Sequence, residues 1–299
     1  DIEGIADVLH KRGKALLLDQ AHGAHFGFHP ALPPHGGTQG ADIWVQSAHK
    51  TLPALTQSAW LHIHISDRVS AERVAHKIRV LQTTSPSYPM MGSMDYARHW
   101  LANEAHDAYR DLLVRMDRAV NRIETEARVR RVDFSGDTGV VQTDPTRLVL
   151  DVSALGMGAG EAEGYLAKEG VRVEWAEGRY LVLICTPFTR RRDFVRLIRA
   201  LRRIPRQADA EQRKELPPLP EAETVLPMGQ ALDGAAEKID YRQAVDRVAG
   251  EFLIPYPPGI PLLCPGERVT EAHIEWIGRS AAQGKPPAGV DAGRICVLQ

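Results

Sequence analysis

Two short apolar runs, each passing directly into polar residues, constrain this chain more than any other feature. Ala15 to Leu18 runs into Asp19, and Ile43 to Gln46 runs into Ser47, Ala48, His49 and Lys50. Apolar runs this short and unbroken read as strands covered on both faces, the pattern of a parallel sheet. Parallel strands deliver whatever follows them to one edge, where open α/β sheets bind ligands. The spacing therefore predicts that Asp19 and Lys50 share a site. An aspartate after a strand also serves as a turn or helix cap, and a lysine there as a solvated end, so spacing alone leaves both readings open.

An acid and an amine at the mouth of such a sheet suit pyridoxal 5'-phosphate. The amine can form a Schiff base with its aldehyde, and the acid can keep the ring nitrogen protonated. The residues between the two sharpen the reading. Asp19-Gln20-Ala21-His22-Gly23-Ala24-His25-Phe26, followed by Gln46-Ser47-Ala48-His49-Lys50-Thr51-Leu52, closely resembles the bacterial Orn/Lys/Arg decarboxylases. These are pyridoxal phosphate enzymes of the aspartate aminotransferase fold (fold type I). The Ser-x-His-Lys-Thr string is that family's cofactor attachment signature. Thr83-Thr84-Ser85-Pro86-Ser87-Tyr88, Ala97-Arg98, Tyr256-Pro257-Pro258-Gly259-Ile260-Pro261 and Pro265-Gly266-Glu267 agree with it in the family's order.

The resemblance implies an α/β fold, with a mainly parallel large-domain portion followed by a smaller α/β domain. Residues 1–105 are expected to belong to the cofactor-binding domain, 106–205 to the small domain, 206–238 to a linker and 239–299 to the family's C-terminal region. In the family a large segment ahead of this point supplies a glycine- and serine-rich phosphate loop and a lid over the ring. Residues 1–299 are therefore expected to be the C-terminal part of a longer enzyme and to retain cofactor poorly by themselves.

Composition narrows the remaining classes. A formal net charge of -1 gives no general attraction to nucleic acid. Cys185, Cys264 and Cys296 lack metal spacing and fit a reducing, cytoplasmic setting. No apolar stretch approaches the roughly 20 residues that span a bilayer, and no charged start followed by an apolar run points to secretion.

Along the chain, 1–12 and 67–82 have helical periodicity, 58–65 alternates as a strand, and 92–131 reads as one long amphipathic helix. Strands are expected at 147–152, 171–175, 180–185 and 294–298, with helices at 160–169, 194–204, 241–252 and 271–283. The arginine-rich stretch 190–203 could suggest RNA or a membrane surface, but a helix with Phe194, Leu197, Ile198 and Leu201 facing a core accounts for it better.

The resemblance also assigns roles. Lys50 is the Schiff-base lysine and Asp19 the partner of the ring nitrogen. Ala21 offers only a methyl group to one ring face, and His22 lies close to the cofactor, with a structural histidine the competing reading. Ser47 and His49 contact the phosphate or stack beside it, and Lys50 or His49 returns the proton that completes the reaction. The loop bearing Thr84 and Tyr88 borders the site and reaches toward a partner subunit, Tyr256 lies near the substrate entrance, and Glu251 and Glu267 are the acids placed to meet a basic side chain. His25 and His29 are as well explained by loop packing as by chemistry.

The implied reaction is decarboxylation of lysine, arginine or ornithine, a step in polyamine biosynthesis, by a homodimer or higher even oligomer. Two alternatives stand beside it: another fold type I reaction, aminotransfer or lyase chemistry, because Asp19 and Lys50 are common to all, or an inactive fragment whose dense histidines bind metal. No metal site is assigned.

Overall fold

The computed structural model describes residues 1–206, 216–256 and 259–299. It divides into two compact units, Asp1–Ala210 and Glu211–Gln299.

The first unit opens with helix α1 (Ile2–His10), capped by the Asp1 side chain on the Gly4 N–H. Strand β1 (Leu17–Asp19) pairs in parallel with β2 (Ile43–Gln46), and β3 (Trp60–Ile63) joins β2 antiparallel. The short helix α2 (Ala48–Thr51) starts directly behind β2. One buried carboxylate ties this sheet together. Asp42, 1% exposed, accepts from the Leu16 N–H at 2.8 Å, from His10 Nε2 at 2.8 Å and from the Arg68 guanidinium at 2.9 Å. Burial alone would push the Asp42 carboxyl up, but these three donors outweigh it and hold it down to about 2.

Helix α3 (Ala71–Leu81) leads to α4 (Tyr88–Asn103) and α5 (Ala105–Arg122). The single helix expected over 92–131 is thus two. Asn103 turns its amide back onto the His99 carbonyl at 2.7 Å, and Glu104 leaves helical geometry at φ -121°. Behind α5 the chain forms β4 (Arg130–Arg131), β5 (Arg147–Asp151), α6 (Ala159–Lys168), β6 (Trp175–Glu177), β7 (Tyr180–Ile184) and α7 (Arg191–Arg203). The sheet has order β4-β5-β7-β6 and is antiparallel throughout.

Leu148 and Leu150 of β5 and Leu181 of β7 alternate inward with no solvent exposure above 1%, against Phe194, Leu197 and Leu201 of α7. The arginine-rich stretch is therefore an amphipathic helix. The strand expected at 171–175 starts only at Trp175, because Val171 is still closing α6 through its N–H to the Leu166 carbonyl. The boundary expected near residue 105 falls inside this unit, whose core runs continuously from Ala24 to Ile204.

The second unit is built on the antiparallel pair β8 (Ala236–Asp240) and β9 (Arg294–Leu298), covered by α9 (Glu271–Ala282). The stretch expected as a linker, 206–238, instead contributes structure here. Leu216 and Leu219 pack on the core, helix α8 (Met228–Leu232) follows, and most of β8 lies within it. Residues 207–215 of that stretch are outside the described residues. The helix expected over 241–252 is only a 3₁₀ turn at Tyr241–Gln243, and Asp246 at φ 64° prevents its continuation. Among the described residues no helix is long and apolar enough to cross a membrane.

The Asp42 cluster sets an acid limit. A carboxyl depressed in the fold stabilises above its unfolded pKa, and that stability is lost as pH falls from about 4 through about 2. Asp42→Asn should cost about 2 kcal/mol at neutral pH and flatten the pH dependence of urea stability across that acid window, as read by urea unfolding at a series of pH values.

Candidate active site

Pairing beyond the strand ends carries Asp19 and Lys50 into one neighbourhood. Past the β1–β2 register of Asp19 with Val45, Gln20 N–H donates to the Val45 carbonyl at 2.9 Å and Ser47 N–H to the Ala21 carbonyl at 3.2 Å. Asp19 Oδ1 accepts the Ala21 N–H at 2.9 Å and turns the chain into the His22 loop. Lys50 rises from α2 and places Nζ 3.2 Å from His22 Nε2.

His22 is where the charges meet. Solvent still reaches the residue, yet its pKa lies below the usual histidine value. Desolvation of the ring is the largest cause, followed by the positive charges of Lys50 and Arg147, against the opposing charges of Glu174 and Asp19. A neutral imidazole can accept a hydrogen bond from an ammonium on Lys50.

A buried amide fixes the loop from below. Gln46, 5% exposed, donates through Nε2 to Gln20 Oε1 at 2.9 Å and to the Gly23 carbonyl at 3.0 Å, and its Oε1 accepts from His62 Nε2 at 3.0 Å. Gly23 has to be glycine here: a Cβ would lie 2.5 Å from Gln20 Cγ and 2.7 Å from the Phe26 ring.

The turn before β5 grips the same loop from the other side. Arg147 Nη2 donates to the His22 carbonyl at 2.9 Å. Asp144 Oδ1 accepts from the Thr146 N–H at 2.9 Å and its hydroxyl at 2.7 Å, while Oδ2 lies 3.2 Å from His25 Nε2. Burial would push Asp144 up, but His25, Thr146 and Arg147 together hold it below the usual carboxylate range. His25 is 1% exposed and stacks on Tyr109 with ring centroids 5.4 Å apart. These contacts give His25 a packing role.

Asp19, Ala21, His22 and Lys50 therefore gather at one edge of the sheet, with Ser47 and His49 beside them. Ser47 makes no side-chain cap on α2. His49 engages the Ser58 carbonyl through Nδ1 at 2.9 Å, which leaves Nε2 as its second ring position. Thr84 stands on the exposed turn between α3 and α4 and Tyr88 opens α4, 76% exposed; among the described residues neither makes a hydrogen bond or ion pair to this group.

Tyr256, Glu251 and Glu267 belong to the second unit. Tyr256 is 80% exposed, Glu251 is exposed, and Glu267 accepts the Cys264 N–H at 2.7 Å. Pro257 and Pro258 of the proline-rich segment lie outside the described residues. His29 pairs its ring with His106 at 5.1 Å. The dense histidines scatter to different partners, and no group of three or more His, Cys, Asp or Glu is placed to hold a metal among the described residues. Sequence reasoning overlooked Gln46, Asp144 and Arg147 as site-building residues. The only available signal was the turn-forming Asp144-Pro145-Thr146 ahead of a strand.

Comparison with known proteins places this geometry. Residues 1–147 match the family model "Orn/Lys/Arg decarboxylase, major domain", and residues 214–282 match "Orn/Lys/Arg decarboxylase, C-terminal domain". The chain is 32% identical to the arginine decarboxylase of Bacillus subtilis, covering 100% of this chain and 62% of that protein. It is 31% identical to the arginine decarboxylase of Halalkalibacterium halodurans, covering 97% and 60%. It thus spans about three-fifths of the length of these relatives. Among solved structures, the E. coli constitutive lysine decarboxylase superposes with a TM-score of 0.75 at 21% identity over 95% of this chain and 54% of that one. Lysine decarboxylase A of Pseudomonas aeruginosa gives 0.75 at 18% identity over 100% and 55%. The fold is that of the pyridoxal phosphate enzymes of fold type I.

The Gln46 bridge gives a direct test. Gln46→Leu strands His62 Nε2 and the Gly23 carbonyl, leaves Gln20 Oε1 with only the Gly36 N–H, and should destabilise the protein by about 2 to 3 kcal/mol, measured by urea denaturation.

Proposed function

The chain belongs to the Orn/Lys/Arg decarboxylase family, and on that premise we propose that its Asp19–Lys50 site holds pyridoxal 5'-phosphate for the decarboxylation of a basic amino acid. The observation that carries this reading is the convergence of Lys50 and Asp19 on His22 at the ends of two paired parallel strands.

The side chains fit the cofactor by their chemistry. A primary amine, a carboxylate and an intervening alanine methyl group are what an aldehyde-bearing, protonated flat heterocycle requires. When bound, the cofactor supplies an aldehyde that captures amines and a ring that accepts electrons. Lys50 presents the amine. Asp19 offers a negative charge to the ring N–H and so keeps that proton in place. Ala21 would offer only a methyl group to the cofactor, and neutral His22 would add a polar group without a further charge. The Ser47 hydroxyl and His49 Nε2 offer donors to a phosphate. Lys50 or His49 holds the proton that is finally delivered to the substrate's α-carbon.

Because the relatives at 31% and 32% identity are named arginine decarboxylases, arginine is the first substrate to test, followed by lysine and ornithine. Glu251 and Glu267 are the proposed acids for the basic side chain, with Tyr256 near the substrate entrance. Thr84 and Tyr88, exposed in this chain, would serve the site of a second copy in an even oligomer. The three cysteines are free, in keeping with a reducing, cytoplasmic setting.

The test is capture and product analysis. Borohydride reduction in the presence of pyridoxal phosphate should leave a cofactor adduct on the Lys50 peptide by mass spectrometry, and Lys50→Ala should abolish it. Activity should yield carbon dioxide and the amine of the substrate, with Lys50→Ala lowering it by roughly 10³-fold. A keto acid formed without carbon dioxide would replace decarboxylation with aminotransfer.

A further inference from the structure

We propose that the turn Asp144–Arg147 is a clamp that positions the cofactor loop, and that Arg147 is its positioning residue. The clamp holds the loop at two points. Arg147 takes the His22 carbonyl at 2.9 Å, the sole hydrogen bond to that carbonyl among the described residues, and Asp144 and Thr146 take the His25 ring at 3.2 and 3.3 Å. The gripping and gripped residues are 125 positions apart in sequence for Arg147 and His22, so local chain geometry does not account for the contact.

The clamp has a rigid base. Leu148 and Leu150 of β5 are 1% and 0% exposed, which fixes the backbone next to Arg147. The Arg147 side chain is itself only 17% exposed, with Nη1 3.3 Å from Thr146 Oγ1 and 3.6 Å from Asp144 Oδ2. A guanidinium held in this way is a preorganised donor rather than a mobile surface cation. Its second effect is electrostatic. The charged groups facing His22 are Lys50 on α2, Arg147 on β5, Glu174 before β6 and Asp19 on β1. Arg147 adds to Lys50 in keeping the ring neutral, and it does so from a fixed position.

The inference rests on the reading of His22 and Lys50 as cofactor-site groups, so its test is arranged to separate the two. The first readout needs no cofactor: the pH titration of the His22 ring by NMR in the full chain, wild type against Arg147→Met and Arg147→Lys, with circular dichroism to establish folding. Arg147→Met should move the His22 midpoint upward and speed amide exchange from Gly23 to His25. Arg147→Lys should restore the midpoint, because charge is kept, but not the exchange protection, because an ammonium lacks the planar fork. The second readout is the dissociation constant for pyridoxal phosphate, expected to weaken roughly tenfold in Arg147→Met.

A folded Arg147→Met protein with an unchanged His22 midpoint and unchanged loop exchange overturns the clamp. If the wild type takes up no cofactor and forms no adduct while the midpoint still shifts, the clamp stands and the functional reading fails.

Discussion

Everything at the candidate site depends on one pairing, the parallel contact between β1 and β2. A one-residue slip in a strand reverses the face of every side chain on it, so the register of Asp19 with Val45 decides which groups emerge together. The two hydrogen bonds that continue the pairing, Gln20 to Val45 and Ser47 to Ala21, extend that control past the regular strands. They place an acid and an amine in one electrostatic neighbourhood although 31 positions separate Asp19 from Lys50 in the sequence. The chemistry comes later in the causal order than the register.

Around this pairing the loop from Gln20 to His25 is held by polar groups outside the Ser-x-His-Lys-Thr string. Gln46 supports it through a buried amide, and Arg147 and Asp144 reach it from the second sheet. The network is paired except at the buried His25 Nδ1, and its paired members favour one loop conformation. That is a reason to build a reactive site on such a loop instead of on an unsupported turn.

The sequence made the strand ends legible because apolar runs and the residues after them are local features. The buried faces of α5, α7 and β5 were also legible, since Leu148 and Leu150, or Phe194, Leu197 and Leu201, repeat at the period of their element. Breaks were not. Glu104 divides a continuous amphipathic pattern, because hydrophobic period continues through a one-residue kink, and Asp246 ends a helical pattern through a left-handed backbone that periodicity does not register. Polar, proline-rich composition hid the packing of Leu216 and Leu219, since a strand and short helix there answer to tertiary contacts. Arg147 looked like an ordinary strand residue. Its partner is 125 positions away, and no local pattern encodes that.

The placement of His22 between two donors couples hydrogen bookkeeping on both sides of its ring. With an ammonium at Lys50, Nε2 must offer its lone pair, and the ring hydrogen resides on Nδ1. Beside a neutral amine, Nε2 can carry the hydrogen and donate it, and Nδ1 then turns a lone pair toward Arg147 Nη2, 3.5 Å away. A change of charge at the lysine is thereby matched by a switch of tautomer, with the arginine standing ready to receive the vacated nitrogen. Burial of the ring and the nearby positive charge of Arg147 favour the neutral imidazole in either arrangement.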